Sequence, residues 1–307
     1  MLRKKAIRKL LITSILIYTI LTIYSIPKLT NKKNEIQTNL EINDITNINT
    51  DTIYLINKNN FLVKKNIFID TNILKNKIEI IIENLKLKKD NNELKGYIPQ
   101  KTKLLNYKIE DDHLILNFSK EIKNVSNEKQ LITGITYSLL ELEDINYISF
   151  LIEKIPWKNY TKLSKNIGIN NEYLLNGTKD NKKIVVYYLD NTNNYYVPVT
   201  RYLNDKREKI EIIVDELKKT KKDLISYIPE KIKLLSYREE ENVLFLNFNE
   251  YLKDSCEDSR KKILNTISYS VFDNYNVNMV VFEIENKKYQ YIYKKNYWQT
   301  TILTTNF

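Results

Sequence analysis

The sequence contains an echo of itself. Tyr97 to Ile122 (YIPQKTKLLNYKIEDDHLILNFSKEI) and Tyr227 to Leu252 (YIPEKIKLLSYREEENVLFLNFNEYL) align without a gap at an offset of 130, with 13 of 26 positions identical. Such a chain is two copies of one unit, so a fold assigned to one copy must serve for both. In the first copy Leu105, Tyr107 and Ile109 alternate with polar neighbours, Glu110 to Asp112 turn the chain, and Leu114, Leu116 and Phe118 alternate again. A period of two on both sides of an acidic turn predicts an antiparallel hairpin with one buried face. Pro99 and Pro229 stand before the first strand, where a missing N–H costs no ladder bond.

The flanking sequence supplies the rest of each unit. Ile53 to Ile56 and Phe61 to Ile69 read as a strand pair joined across Asn57 to Asn60. Ile78, Ile81, Ile82 and Leu85 follow the helical period and give one apolar stripe. After the hairpin, Ser126 can cap a second helix with Glu128 in its first turn, and Leu131, Ile135, Leu139 and Leu142 form its buried face. Tyr147 to Glu153 closes the unit as a strand. The second unit repeats this order: a strand pair over Tyr187 to Val199, a stripe of Ile210, Ile213, Val214 and Leu217, a capping-box spacing at Ser255 to Asp258, a second stripe of Ile263, Ile267 and Val271, and a last strand through Val280, Phe282 and Ile284.

This order predicts an α+β chain of two tandem two-layer domains, each a small mixed sheet with two helices on one face. The last strand joins the sheet beside a member of the hairpin by a right-handed crossover. The expected divisions are residues 1–26 (signal anchor), 27–50 (polar stalk), 51–154 (first domain), 155–182 (connector), 183–289 (second domain) and 290–307 (C-terminal tail). The anchor rests on Leu10 to Ile26, a run of 17 residues without a charge that follows Arg3, Lys4, Lys5, Arg8 and Lys9. That reads as one N-terminal transmembrane helix with its basic flank in the cytoplasm and the remaining chain outside. A cleaved signal peptide and a buried core helix are the alternatives. The connector contains Pro156, Gly168 and Gly177 but enough Leu and Tyr to pack on one of the domains.

Chemistry-bearing residues are few. The net charge of +11 falls to +6 without the five basic residues of the N-terminal flank, and the other lysines are interleaved with acids, which argues against nucleic acid as a partner. There is one cysteine, Cys256, and one histidine, His113; no ligand spacing for a metal exists, and four glycines build no phosphate-cradling loop. His113 falls on the outward phase of its strand and reads as a surface residue. The acidic turns Glu110 to Asp112 and Glu239 to Glu241 read as solvated hairpin tips. No catalytic, cofactor or metal residue is assigned, and no enzyme activity is expected. The run Tyr289 to Trp298 (YQYIYKKNYW) reads as a terminal edge strand, with a partner-docking edge or a wall-glycan surface as alternatives.

The run of motifs YYVPVTRYL (Tyr195 to Leu203), YIPEKIKLLS (Tyr227 to Ser236) and LFLNFNEYL (Leu244 to Leu252), preceded in the connector by IGINNEYLL (Ile167 to Leu175), resembles the GerM family of sporulation and germination proteins with tandem GerMN domains. The resemblance covers about residues 51 to 289. It implies a domain similar in fold to the ring-building motif of sporulation and secretion channels, with no enzymatic role. It also implies a place between mother cell and forespore, supporting a ring-like complex by self-association or by contact with channel ring proteins. An envelope module that holds peptidoglycan is the competing reading. Family members are typically lipoproteins; no cysteine follows Ile26 closely enough here, so the anchor must be the helix itself.

Overall fold

Each copy of the repeat forms the expected hairpin, β3 (Leu104–Glu110) with β4 (His113–Phe118) and β10 (Leu234–Glu240) with β11 (Val243–Phe248). The computed structural model describes residues 50–88, 93–170, 182–219 and 223–294. The expected anchor Leu10 to Ile26, the stalk before Thr50 and the tail beyond Lys294 lie outside the described residues. Among those described, no helix is long and apolar enough to cross a membrane.

The first repeat runs β1 (Thr50–Ile56), β2 (Leu62–Phe68), α1 (Leu74–Asn84), β3, β4, α2 (Glu128–Leu139), β5 (Tyr147–Ile152) and a short β6 (Ile155–Pro156). The second runs β7 (Lys182–Asp190), β8 (Tyr196–Leu203), α3 (Lys209–Leu217), β9 (Leu224–Ile225), β10, β11, α4 (Glu257–Asn274), β12 (Met279–Ile284) and β13 (Lys287–Lys294). The anticipated core residues outside the first hairpin strand are buried, among them Ile78, Ile81, Leu116, Ile135, Ile213, Leu246, Ile267 and Phe282, whereas Leu105 and Ile109 are exposed and Tyr107 is half-buried. The closing strands pair parallel to the second hairpin strand, β5 with β4 and β12 with β11, as a crossover through a helix requires.

The structure departs from the sequence reading at five points, each with a local cause. The strand pairs do not join the hairpin sheets: β1 and β2 form a sheet of their own, and β7 pairs with β8 and β9. The free edges of β1 and β7 are met by helix side chains instead, with Tyr54 N donating to Ser138 Oγ of α2 and Tyr187 N to Ser270 Oγ of α4, both at 2.9 Å. The two-layer expectation of helices on one face therefore fails for α2 and α4. Every residue of α2 from Leu131 to Leu139 is buried, polar ones included, rather than a single stripe.

The second departure is a bulge. Leu104 pairs with Phe118 and Asn106 with Asn117, so Leu105 is the extra residue and turns outward; Leu235 does the same in the second copy. Third, each repeat ends in a hairpin rather than a strand, because Glu153 and Lys154 (φ 49° and 71°) and Glu285 and Asn286 (φ 47° and 62°) adopt the left-handed pairs of tight turns. In the second copy this strand, β13, carries the chain to Lys294, past the expected boundary at 289. Fourth, the caps differ. Asn127, not Ser126, caps α2 by accepting from Gln130 N at 3.0 Å, while Cys256 stands at the N-cap of α4 without a side-chain capping bond, so Ser255 to Asp258 makes no capping box.

Fifth, the connector packs on both repeats. Trp157 is buried against Phe150, Leu163 bridges to Ile148, and Ile169 bonds in both directions with Thr200 of β8. Asn170 then clips the two hairpins together. Its amide donates to Leu62 O (2.7 Å) and Pro198 O (2.8 Å), and it accepts from Leu62 N (2.9 Å). One continuous apolar core runs through both repeats.

The seam has the form of an approximate two-fold. Asn57 closes the β1–β2 turn by accepting from Asn59 N and Phe61 N, and its counterpart Asp190 holds the β7–β8 turn by accepting from Asn194 N and Tyr195 N. These two residues meet each other, Asn57 Nδ2 donating to Asp190 Oδ2 at 3.1 Å. A residue that touches its own equivalent marks an isologous contact.

Candidate functional site

In the first repeat, α1 and the edge strand β3 leave a cleft of about 760 Å³, lined by Lys75, Glu79, Ile82, Lys86, Lys103 and Tyr107 together with Leu105. The bulge puts Leu105 at this surface, 48% exposed, and Tyr107 Oη reaches the Lys75 carbonyl at 3.5 Å. Ile109, on the same edge strand, is also exposed, although it pairs with buried Leu114. The second repeat presents Leu235, 49% exposed, and Tyr237 in the same places, with Glu239 where the first has Ile109. An apolar knob on a strand edge, rimmed by charges of both signs, can receive a segment of another chain; it offers no nucleophile.

A polar network fills the seam between the repeats. Tyr54 Oη donates to Glu141 Oε1 (3.1 Å), which also accepts from Lys165 Nζ (2.9 Å). On the other side, Tyr187 Oη donates to Asp273 Oδ2 (2.6 Å). Lys64 Nζ lies 3.5 Å from Asp273 and over both tyrosine rings, at 5.8 and 5.6 Å from their centres. Burial pushes the Glu141 carboxyl up, but the charges of Lys64 and Lys165 outweigh it and hold the group at about 2. Burial raises both tyrosines far above their usual range, so their hydroxyls stay neutral and donate. Burial lowers Lys183 to about 8, its ammonium donating to the Lys165 carbonyl. The network holds the seam together, and its Glu141 carboxyl is held far from acting as an acid near neutral pH.

His113 is not the free surface residue its strand phase suggests. It is half-buried, with Nε2 2.8 Å from Ser149 Oγ and its ring edge-on to Tyr147. The neighbouring parallel strand supplies both partners, and nothing in the local sequence around His113 announces that pairing. The pair does not make an activated nucleophile: Ser149 is buried and its oxygen already accepts from Lys162 N at 2.7 Å. Cys256 is exposed in the other repeat, and a hydrogen bond with the Ser259 side chain lowers its pKa. Among the described residues no cluster of three or more His, Cys, Asp or Glu is placed to hold a metal. The acidic turns sit at hairpin tips, with Asp111, Glu241 and Asn242 at positive φ.

These features define a tandem-repeat α+β scaffold whose distinctive surfaces are edges and knobs. The chain belongs to the Germane family, described as sporulation and spore germination, which matches residues 52–156 and 185–290, one match to each repeat. It is similar in fold to the tandem GerMN domains of the sporulation protein GerM from Bacillus subtilis, with a TM-score of 0.67 at 23% identity over 78% of this chain and 91% of that one. The first GerMN domain of the same protein also matches, at 20% identity and a TM-score of 0.35, over 38% of this chain and 98% of that one. No curated protein sequence matches the chain.

Proposed function

We propose that this chain is a non-enzymatic sporulation protein, anchored in the membrane by Leu10 to Ile26, whose remaining part lies outside the cytoplasm and takes part in assembling a ring-like complex between mother cell and forespore. What supports assembly is the duplicated knob: Leu105 and Leu235 stand exposed on the same bulged edge strand of each repeat, beside half-buried Tyr107 and exposed Tyr237. The bulge interrupts the edge, which suits a contact made through side chains rather than open-ended strand pairing. Two weak contacts on one protomer add through effective concentration, and confinement to a membrane raises that concentration further.

The test is full-length protein in detergent compared with the same protein in vesicles at high surface density, followed by imaging. Ordered assemblies on vesicles, alone or with sporulation channel ring proteins, are expected for the native chain and not for Leu105→Asp/Leu235→Asp, whose melting temperature should stay close to native. Strictly monomeric native protein on vesicles under both conditions would overturn the assembly reading. Retention on insoluble wall material in that case would promote peptidoglycan binding.

A further inference from the structure

The start of β1, the end of β2 and the first turn of α1 lie together. Thr50 pairs with Phe68, and Lys77 of α1 reaches Asp51 at 3.0 Å. The described chain emerges here from its N-terminal segment, and here it exposes two of its largest apolar side chains, Phe68 (63%) and Ile73 (61%). Ile73 is also the N-cap of α1, a position where a polar side chain would close a free N–H; it provides none, and no acidic residue stands in the first turn. Lys75 stands exposed in that turn, and Asp70 is the one acidic side chain between Phe68 and Lys75.

The second repeat shows what this corner looks like without such exposure. Strand pairing places Tyr202 at the position of Phe68, half-buried with its hydroxyl donating to Asn166 O at 2.8 Å. The N-cap of α3 is Glu208, its N–H donating to Glu211 Oε2 at 3.1 Å. The same fold thus tolerates a polar, capped corner, and the first repeat instead carries an apolar, uncapped one beside Thr50, to which the segment with the apolar run Leu10 to Ile26 is joined in sequence. Twenty-three residues, Pro27 to Asn49, separate that run from Thr50.

We propose that this corner of the first repeat rests on the membrane surface, with Phe68 and Ile73 inserted at the level of the lipid headgroups and the uncapped, acid-free start of α1 facing lipid phosphates. The proposal rests on the anchor reading.

The experiment uses the full chain in vesicles of phosphatidylcholine and phosphatidylglycerol. Cys256→Ser removes the exposed thiol, and single cysteines at Phe68, Ile73 or Ile155 carry a fluorescent probe. Ile155 is a control of equal character, 70% exposed and remote in sequence from the corner. With nitroxide-labelled lipid, fluorescence at 68 and 73 is expected to fall to about half while that at 155 stays unchanged, as for side chains inserted at headgroup depth. Vesicle-bound protein with equal, weak quenching at all three positions would overturn the proposal and leave the anchor standing. Probes at 68 and 73 shielded from an aqueous quencher but untouched by the lipid nitroxide would assign the corner to a protein partner and overturn it too. Protein that fails to float with vesicles at all would sink both the anchor and the docking.

Discussion

The two repeats share a 26-residue segment that is identical at 13 positions, yet its first residue behaves differently in each. Tyr97 is buried, with its ring against Gly134 of α2, where an added Cβ would come within 2.3 Å of the hydroxyl. Tyr227 is half-buried, donates to Asn193 Oδ1 at 2.7 Å and lies beneath the Lys262 ammonium at 4.8 Å. The helices explain the split. Ser138 and Ser270, the equivalent residues that bond β1 and β7, donate to the carbonyls of Gly134 and Thr266, so Thr266 holds the place of Gly134 and leaves no room for a buried ring. An identical Tyr-Ile-Pro segment therefore takes its environment from a helix some forty residues further on, and local identity does not guarantee local structure.

The strongest way to break this comparison is to ask whether the repeats are independent at all. Leu116→Asp and Leu246→Asp each bury a carboxylate without a partner, at a cost of several kcal/mol against a total stability of roughly 5–15 kcal/mol. Because one core runs through both repeats, either change should unfold the described unit in a single step; thermal melts followed by two probes, one in each repeat, check this. A surviving native transition in the untouched half would show that the cores are separable.

Gly134→Ala tests the helix explanation. It should cost about 1–3 kcal/mol by overpacking against Tyr97, measured by denaturant titration. Thr266→Ala, at the equivalent position where no ring is buried, should cost less. The mildest change sharpens the contrast between the two corners: Ile73→Asp gives α1 the cap it lacks and should raise stability by about 0.5–1 kcal/mol. The same substitution should weaken lipid quenching of a probe at 68.

The elements were legible wherever one face meets water and the other meets core. The stripes at Ile78 to Leu85 and Ile210 to Leu217, and the alternation Leu114, Leu116, Phe118, mark their burial directly. The bulge was not legible, because Leu104 and Leu105 are the same residue type and only pairing decides which one turns inward. The closing hairpins were hidden for a related reason. Their turns use Glu153, Lys154, Glu285 and Asn286 in a conformation that glycine would have advertised. As for the candidate site, the apolar strand was visible in the sequence but its exposure was not, since edge position follows from strand order. The seam depends on polar residues, Asn170 above all, whose partners lie 28 and 108 positions away.

The meeting of Asn57 with Asp190 has one more consequence. Two identical chains related by a dyad must set each residue against its own copy, so a contact on the axis would pair amide with amide or force two carboxylates together, and like charges at that distance repel. Joining both halves into one polypeptide lifts the restriction. Here one side supplies the donor and the other the acceptor, at 3.1 Å. Covalent linkage has allowed a symmetric joint to become complementary, and with that each half is free to specialise its outer surface without spoiling the joint.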